Sequence, residues 1–253
     1  MDVRIFVDKS VNENAAYYYE LSKDAKKKIK GAEKAIEETK KEMEKAKKKK
    51  KEKAVRVKKE KKWFEKFHWF YTSEGKLAVG GKNAQQNDIV YKKYMEDGDL
   101  FFHADIQGGS AVILKEGTTA NEEEILEAAQ FAASFSNAWK NGNAGVDVYS
   151  VKKEQVSKHA TGGYIATGAF AISGERNWYK NTKLGLKIGW GEKDIEILPE
   201  RCERKLKNEI YLVPAKSGKE KGEIGRLIAK KLSVDVTEVL EIIPSGKSKI
   251  VKK

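Results

Sequence analysis

The residues best suited to chemistry in this sequence lie between Trp63 and Asp105. Gly80-Gly81-Lys82 runs directly into Asn83, Gln85, Gln86 and Asn87, and His103-Ala104-Asp105 follows. A glycine pair lets backbone come close to a ligand, and a lysine at a helix N-terminus favours a phosphate. Amide side chains both donate and accept, so they suit base edges and sugar hydroxyls. The local alternative is a tight turn at the glycines, Asn83 as a helix cap and the other amides on a wet helix face. The glycine pair fits neither a Walker loop nor a dinucleotide fingerprint.

A second polar stretch, Gln155-Val156-Ser157-Lys158-His159, is followed by Gly162-Gly163-Tyr164. Ser157 and Lys158 beside flexible backbone suit phosphate contact, and Tyr164 suits base stacking. Read as a hydrolytic Ser/Lys pair, the same residues lack a legible oxyanion hole or acid/base partner. His103 and Asp105 with His159 could be drawn as metal ligands, but the chain has three histidines and no Cys/His cluster. A His103–Asp105 hydrogen bond that orders a loop is the simpler use. No catalytic residue, metal ligand or cofactor is assigned on these grounds. The aromatics Trp63, Phe64, Phe67, Trp69, Phe70 and Tyr71 read mostly as core.

The elements that must carry these residues divide sharply by charge. Of the net charge of +13, nearly all lies between Lys23 and Lys62, where 20 Lys/Arg stand against 8 Asp/Glu. Ser10 and Glu13 form a capping-box pattern, and from there to about Lys62 no proline occurs. Ala25, Ile29, Ala32, Ile36, Thr39, Met43 and Ala46 alternate steps of four and three, a heptad seam on one long helix. Beyond Ala46 the seam decays into Lys47–Lys51 and Lys58, Lys59, Lys61 and Lys62, with Ala54, Val55 and Val57 left to pack. Lysines this dense attract phosphate. The sequence offers no second long helix, so the seam calls for a homodimer mate or a partner helix missing from this chain.

From Trp63 short apolar runs alternate with turns. Phe67–Tyr71 and Lys76–Val79 suggest a hairpin, Asn83–Met95 a helix, and Asp99–Ala104 and Ala111–Lys115 strands. Asn121–Lys140 is the clearest amphipathic helix. Strands are expected at Val146–Val151, Phe170–Ser173, Leu184–Ile188 and Glu209–Val213, and helices at Glu220–Leu232 and Val236–Ile243. The fold class expected is α+β, a mixed sheet with flanking helices behind a long coiled-coil-type helix. The domains expected are 1–62 for the basic helix, 63–180 for a globular domain and 181–253 for an α/β extension packed on it. A single cysteine, no run of ~18 apolar residues and no signal-peptide profile point to a cytoplasmic protein.

Several of these motifs together resemble the NFACT family and its RNA-binding domain, NFACT-R. They are Trp63-Phe64-Glu65-Lys66-Phe67-His68-Trp69-Phe70, the Gly80–Asn87 stretch, His103-Ala104-Asp105, Gln155-Val156-Ser157-Lys158 and Thr167-Gly168-Ala169-Phe170. The lead-in Lys9–Ala15 with Tyr18-Tyr19 is similar to the start of the family's second coiled-coil helix. The tail after Trp178 is similar to an extension of archaeal members. The resemblance implies a non-enzymatic module that binds tRNA and large-subunit RNA in ribosome-associated quality control, during rescue of obstructed subunits and mRNA-independent tailing of the nascent chain. It implies RNA contacts, or their immediate supports, at Lys82, Asn83, Gln85, Gln86, Asn87, His103, Gln155, Ser157, Lys158 and Arg176. The alternative is an arm that docks a partner protein through the long helix. The chain departs from the family's pattern in lacking its N-terminal domain and first coiled-coil helix. It also departs at Ala160-Thr161-Gly162-Gly163-Tyr164, where Pro and Glu are missing and the loop is a residue shorter.

Overall fold

The computed structural model describes residues 4–53, 62–160 and 163–251, with side chains described for these except 44–53, 160 and 164. Two compact units divide the chain, residues 1–60 and 61–253.

The first unit is one helix, α1 (Val11–Lys53). Its start is the capping box expected: Ser10 N–H donates to Glu13 Oε2 at 2.8 Å and Glu13 N–H to Ser10 Oγ at 3.3 Å. Asn14 is buried against the lead-in, bonded to Phe6 through both the backbone N–H and the carbonyl. As far as Met43 the heptad seam is uncovered, with Ile29, Ile36 and Met43 each more than half exposed. The side chains of Lys47–Lys51 lie outside the described residues, as do Ala54, Val55, Val57, Lys58, Lys59 and Lys61 altogether.

The second unit is antiparallel β-sheet with flanking helices, α+β as expected. Its strands are β1 (His68–Tyr71), β2 (Leu77–Gly80), β3 (Leu100–Ala104), β4 (Val112–Leu114), β5 (Gly145–Lys152), β6 (Val156–Ser157), β7 (His159–Ala160), β8 (Gly163–Tyr164), β9 (Ala171–Ile172), β10 (Asn177–Lys183), β11 (Leu186–Trp190), β12 (Ile195–Pro199), β13 (Lys207–Lys219) and β14 (Ser248–Val251). The helices are α2 (Ala84–Ile89), running into a π-helical turn at Val90–Tyr94, then α3 (Glu122–Ser134), α4 (Asn137–Lys140), α5 (Lys221–Leu232) and α6 (Val236–Ile242). A six-stranded sheet has the order β1-β2-β4-β3-β5-β10, and a four-stranded sheet the order β12-β11-β13-β14. The pairs β6–β9 and β7–β8 are short ribbons.

Because side chains alternate along a strand, the large sheet has two packed faces. One carries Phe70, Phe102, Val112, Leu114 and Val148 against Phe131, Ala132 and Trp139 of α3 and α4. It continues without a break into Leu186, Ile188, Leu198 and Leu212 of the second sheet and Ile224 and Ile228 of α5. The other carries Val79, Phe101, Ile113 and Val151 against Val90 and Met95, with Phe64 and Phe67 closing one end. Trp63 is the exception among the leading aromatics, more than a third exposed and stacked on Tyr94 at 4.0 Å.

Three sequence expectations are corrected here. Asn121–Lys140 is not one helix: the Asn121/Glu124 capping box starts α3, but Phe135 leaves helical geometry and Ser136 caps a separate α4. Asn83–Met95 is α-helical only to Ile89 before the turn widens. The strand β10 was not foreseen, since Asn-Trp-Tyr-Lys-Asn-Thr-Lys is polar, as suits an edge strand.

Candidate nucleic-acid interface

The turn after β2 is fixed by α2. Asn83 Oδ1 accepts from Gln86 N–H at 2.9 Å, and Gln86 Oε1 accepts from Lys82 N–H at 3.0 Å. Asn87 is buried and spans two loops, its Oδ1 accepting from Ala111 N–H at 3.1 Å and its Nδ2 donating to the Gly109 carbonyl at 3.3 Å. Gly81 must be glycine: a Cβ there would stand 2.3 Å from Asn87 Oδ1. Ser110 Oγ donates to the Gly81 carbonyl at 2.8 Å and closes the same junction.

The second polar stretch does a similar job. Lys158 is buried, and its Nζ donates to Asp88 Oδ1 at 2.7 Å and to the carbonyls of Ala166 and Ala169 at 3.2 and 2.6 Å. It also lies 4.7 Å over the Phe170 ring. Asp88 Oδ1 additionally accepts from Gly168 N–H at 3.0 Å. Gly168 has φ +81° and packs on Ala84, where a Cβ would come within 2.6 Å. Gln155 Oε1 accepts from Lys152 N–H, while its Nε2 donates to the carbonyls of Ser173 and Glu175, fixing the chain just before Arg176. Ser157 Oγ bonds to His159 backbone. Ser157 and Lys158 therefore do not form a nucleophilic pair.

These supports enclose a cleft of about 900 Å³. Its walls are the Gly81–Asn87 turn, the Gln107–Ser110 loop, the Ala166–Phe170 loop, Phe135–Lys140 and the segments Lys221 and Leu240–Ser245. Lys82, Lys140 and Lys221 bring three ammonium groups, and Glu241 is the only carboxylate among the lining residues. Burial, and then the charge of Lys82, lowers the pKa of Lys221, whose Nζ donates to the Ile243 carbonyl. His68 stacks on Phe135 at 3.9 Å, and its Nδ1 is enclosed with no hydrogen-bond partner. Burial, reinforced by Lys82 and Lys221, holds it well below the ordinary histidine pKa. His103 is lowered too, mainly by burial. Among the described residues its ring makes no hydrogen bond to Asp105, which acts on it through charge, so the expected His103–Asp105 hydrogen bond is not formed. Among the described residues no three His, Cys, Asp or Glu side chains gather for a metal.

The ten sequence-selected residues thus separate by role. Lys82, Asn83, Asn87 and His103 line the cleft, although Asn87 is locked beneath it. Gln86 and Lys158 hold its walls through internal hydrogen bonds, Gln155 fixes the chain before Arg176, and Ser157 bonds locally. Gln85 and Arg176 are exposed. Sequence reasoning missed His68, Lys140, Tyr149 and Lys221, which arrive from distant segments and carry no local motif.

Residues 66–174 match the family described as NFACT protein RNA binding domain. The chain therefore carries an NFACT-R RNA-binding domain. It is 40% identical over 208 residues to the archaeal Rqc2 homolog aRqcH of Methanocaldococcus jannaschii, covering 78% of this chain and 31% of that protein. It is 37% identical over 211 residues to the ribosome quality control complex subunit NEMF homolog of Drosophila melanogaster, covering 77% of this chain and 21% of that one. Human ribosome quality control complex subunit NEMF is 35% identical over 179 residues, covering 65% and 16%. The chain thus spans less than a third of the length of these relatives. No helix among the described residues is long and apolar enough to cross a membrane.

Two outcomes follow. Lys158→Ala strands Asp88 in a largely buried site, so chemical denaturation should show a loss of about 3 kcal/mol; a loss below about 0.5 kcal/mol would place Lys158 on the surface instead. His68 and His103 have lowered pKa values when folded, so the unfolded chain binds protons that they refuse. Their contribution to stability is complete above the unfolded value of about 6.5 and is lost as pH falls through the folded values. Melting temperature should rise from about pH 5 to 7 and then level off. A flat or falling profile contradicts neutral buried histidines.

Proposed function

We propose that this chain is the RNA-binding module of a cytoplasmic ribosome-associated quality control factor. It binds tRNA and large-subunit RNA during rescue of obstructed subunits and tailing of the nascent chain, and the peptide chemistry happens elsewhere. One observation carries the reading: three lysines from three separate segments converge with loop backbone on a single cleft. Phosphate is the ligand such a cleft suits, since cations there can exchange counterions for RNA. The neutral histidines add hydrogen-bonding capacity without charge. The names of the relatives and the RNA-binding domain they share support the same reading. Within it, the arm is 1–62, the RNA-binding domain 63–180 and the extension 181–253. Lys82, His103 and Arg176 touch RNA, Gln85 remains a contact from the exposed helix face, and Asn83, Gln86, Asn87, Gln155, Ser157 and Lys158 support it.

A second reading concerns α1. Ile29, Ile36 and Met43 recur every seven residues and are exposed at 57, 55 and 55%. That stripe suits a partner helix of matching register, from a second copy or another polypeptide.

The test of the first reading is tRNA binding across a salt series. Lys82→Ala with Lys140→Ala should weaken binding and reduce the slope of log affinity against log salt by about 1.4 to 1.8. Lys140→Ala alone should leave thermal stability unchanged, since Lys140 is exposed. An unaltered affinity and slope would remove RNA from the cleft.

A further inference from the structure

The face of the large sheet that carries Phe101 and Val151 ends in a row of rings whose outermost member, Trp178, the packing leaves exposed. His103 on β3 pairs with Tyr149 on β5, and Tyr149 pairs with Trp178 on β10. Residues opposite one another on neighbouring strands share a face, so the three rings stand side by side. The centroids are 6.0 Å apart for His103–Tyr149 and 5.4 Å for Tyr149–Trp178. Along the rest of this face the sheet is covered, by Val90 and Met95 and by Phe170 against Phe101 at 5.2 Å. At β10 the cover stops, and Trp178 is 38% exposed on an edge strand. Its neighbour Tyr179 shows what a core residue does here: it turns to the opposite face, bonds Ser150 Oγ at 2.8 Å and stacks on Phe102.

Two cations lie on this row. The Arg176 guanidinium carbon is 4.6 Å from the Tyr149 ring centroid and 5.8 Å from that of Trp178. Lys180 Nζ is 4.1 Å over Trp178 and 2.8 Å from Asp147 Oδ2. The inner end of the row opens on the cleft, which both His103 and Tyr149 line. Indole and guanidinium planes stack on any nucleobase, and a flexible lysine can move from a ring to a phosphate.

We propose that Arg176 and Trp178 form a stacking step for one unpaired RNA base, continuous with the cleft. Lys180 takes a phosphate beside that base. The step rests on the RNA-binding reading and narrows it: a base inside a duplex is already stacked on both faces, so the site selects loops, bulges or single-stranded ends.

The test measures binding of the full chain to a short single-stranded oligoadenylate and to an RNA duplex of equal length. Trp178→Ala should weaken the single-stranded complex by roughly 5- to 150-fold, the equivalent of one base–aromatic stack, and leave duplex binding unchanged in a chain that still melts cooperatively. Trp178→Phe should recover most of the affinity. Lys180→Ala should lower the salt slope by about 0.7. If the wild type binds RNA and Trp178→Ala matches it, the stacking step is wrong while the RNA-binding reading stands. Equal loss on both RNAs makes Trp178 structural and overturns the step. A wild type that binds neither RNA overturns both.

Discussion

The cleft depends on one buried carboxamide. Asn87 accepts from the backbone of Ala111 and donates to that of Gly109, while its backbone N–H bonds to the Asn83 carbonyl at the start of α2. A buried amide satisfied on both atoms is rigid, because any rotation leaves a donor or acceptor unpaired in a dry site. That rigidity fixes three things together. It forbids a side chain at Gly81, sets the exit of Lys82 from the sheet, and holds Gly109 where its backbone meets the His103 ring. Lysines elsewhere supply charge, but this junction gives the charge a shaped surface.

A second constraint is electrostatic. Asp88 draws the Lys158 ammonium inward, and that ammonium in turn gathers the carbonyls of Ala166 and Ala169. The Ala166–Phe170 loop is thereby held as a wall without adding a free cation. Charge facing the cleft comes from Lys82, Lys140 and Lys221; after burial, the Lys82 charge lowers the pKa of Lys221, and Lys82 and Lys221 together lower that of His68. Like charges held close are unfavourable, and a phosphate among them would relieve that repulsion.

Local signals made much of this legible in the sequence. The hairpin around Ser73-Glu74-Gly75, the Asn121/Glu124 capping box and the Ser10/Glu13 start of α1 each rest on residues a few positions apart. The division of labour among the polar residues did not. Lys158 looks like a surface contact until Asp88, 70 residues away, is placed beside it. Asn87 looks like one more wet amide until two loops close over it. Lys140 and Lys221 have no motif, because what matters about them is the topology that returns α4 and α5 to one cleft. β10 was hidden because an edge strand has no need of an apolar pattern, and so the position of Trp178 was hidden with it.

In the proposed mode of binding, one continuous surface running from the cleft to β10 meets RNA while the buried amides and Lys158 only shape it. Ultraviolet crosslinking of the full chain to RNA, followed by mass spectrometry of the attached peptides, tests this most directly. Localised to single residues, crosslinks should fall at or beside Lys82, His103, Lys140 and Trp178 and spare Asn87 and Lys158. Crosslinks confined to other faces of the globular unit, or to α1 alone, would contradict it.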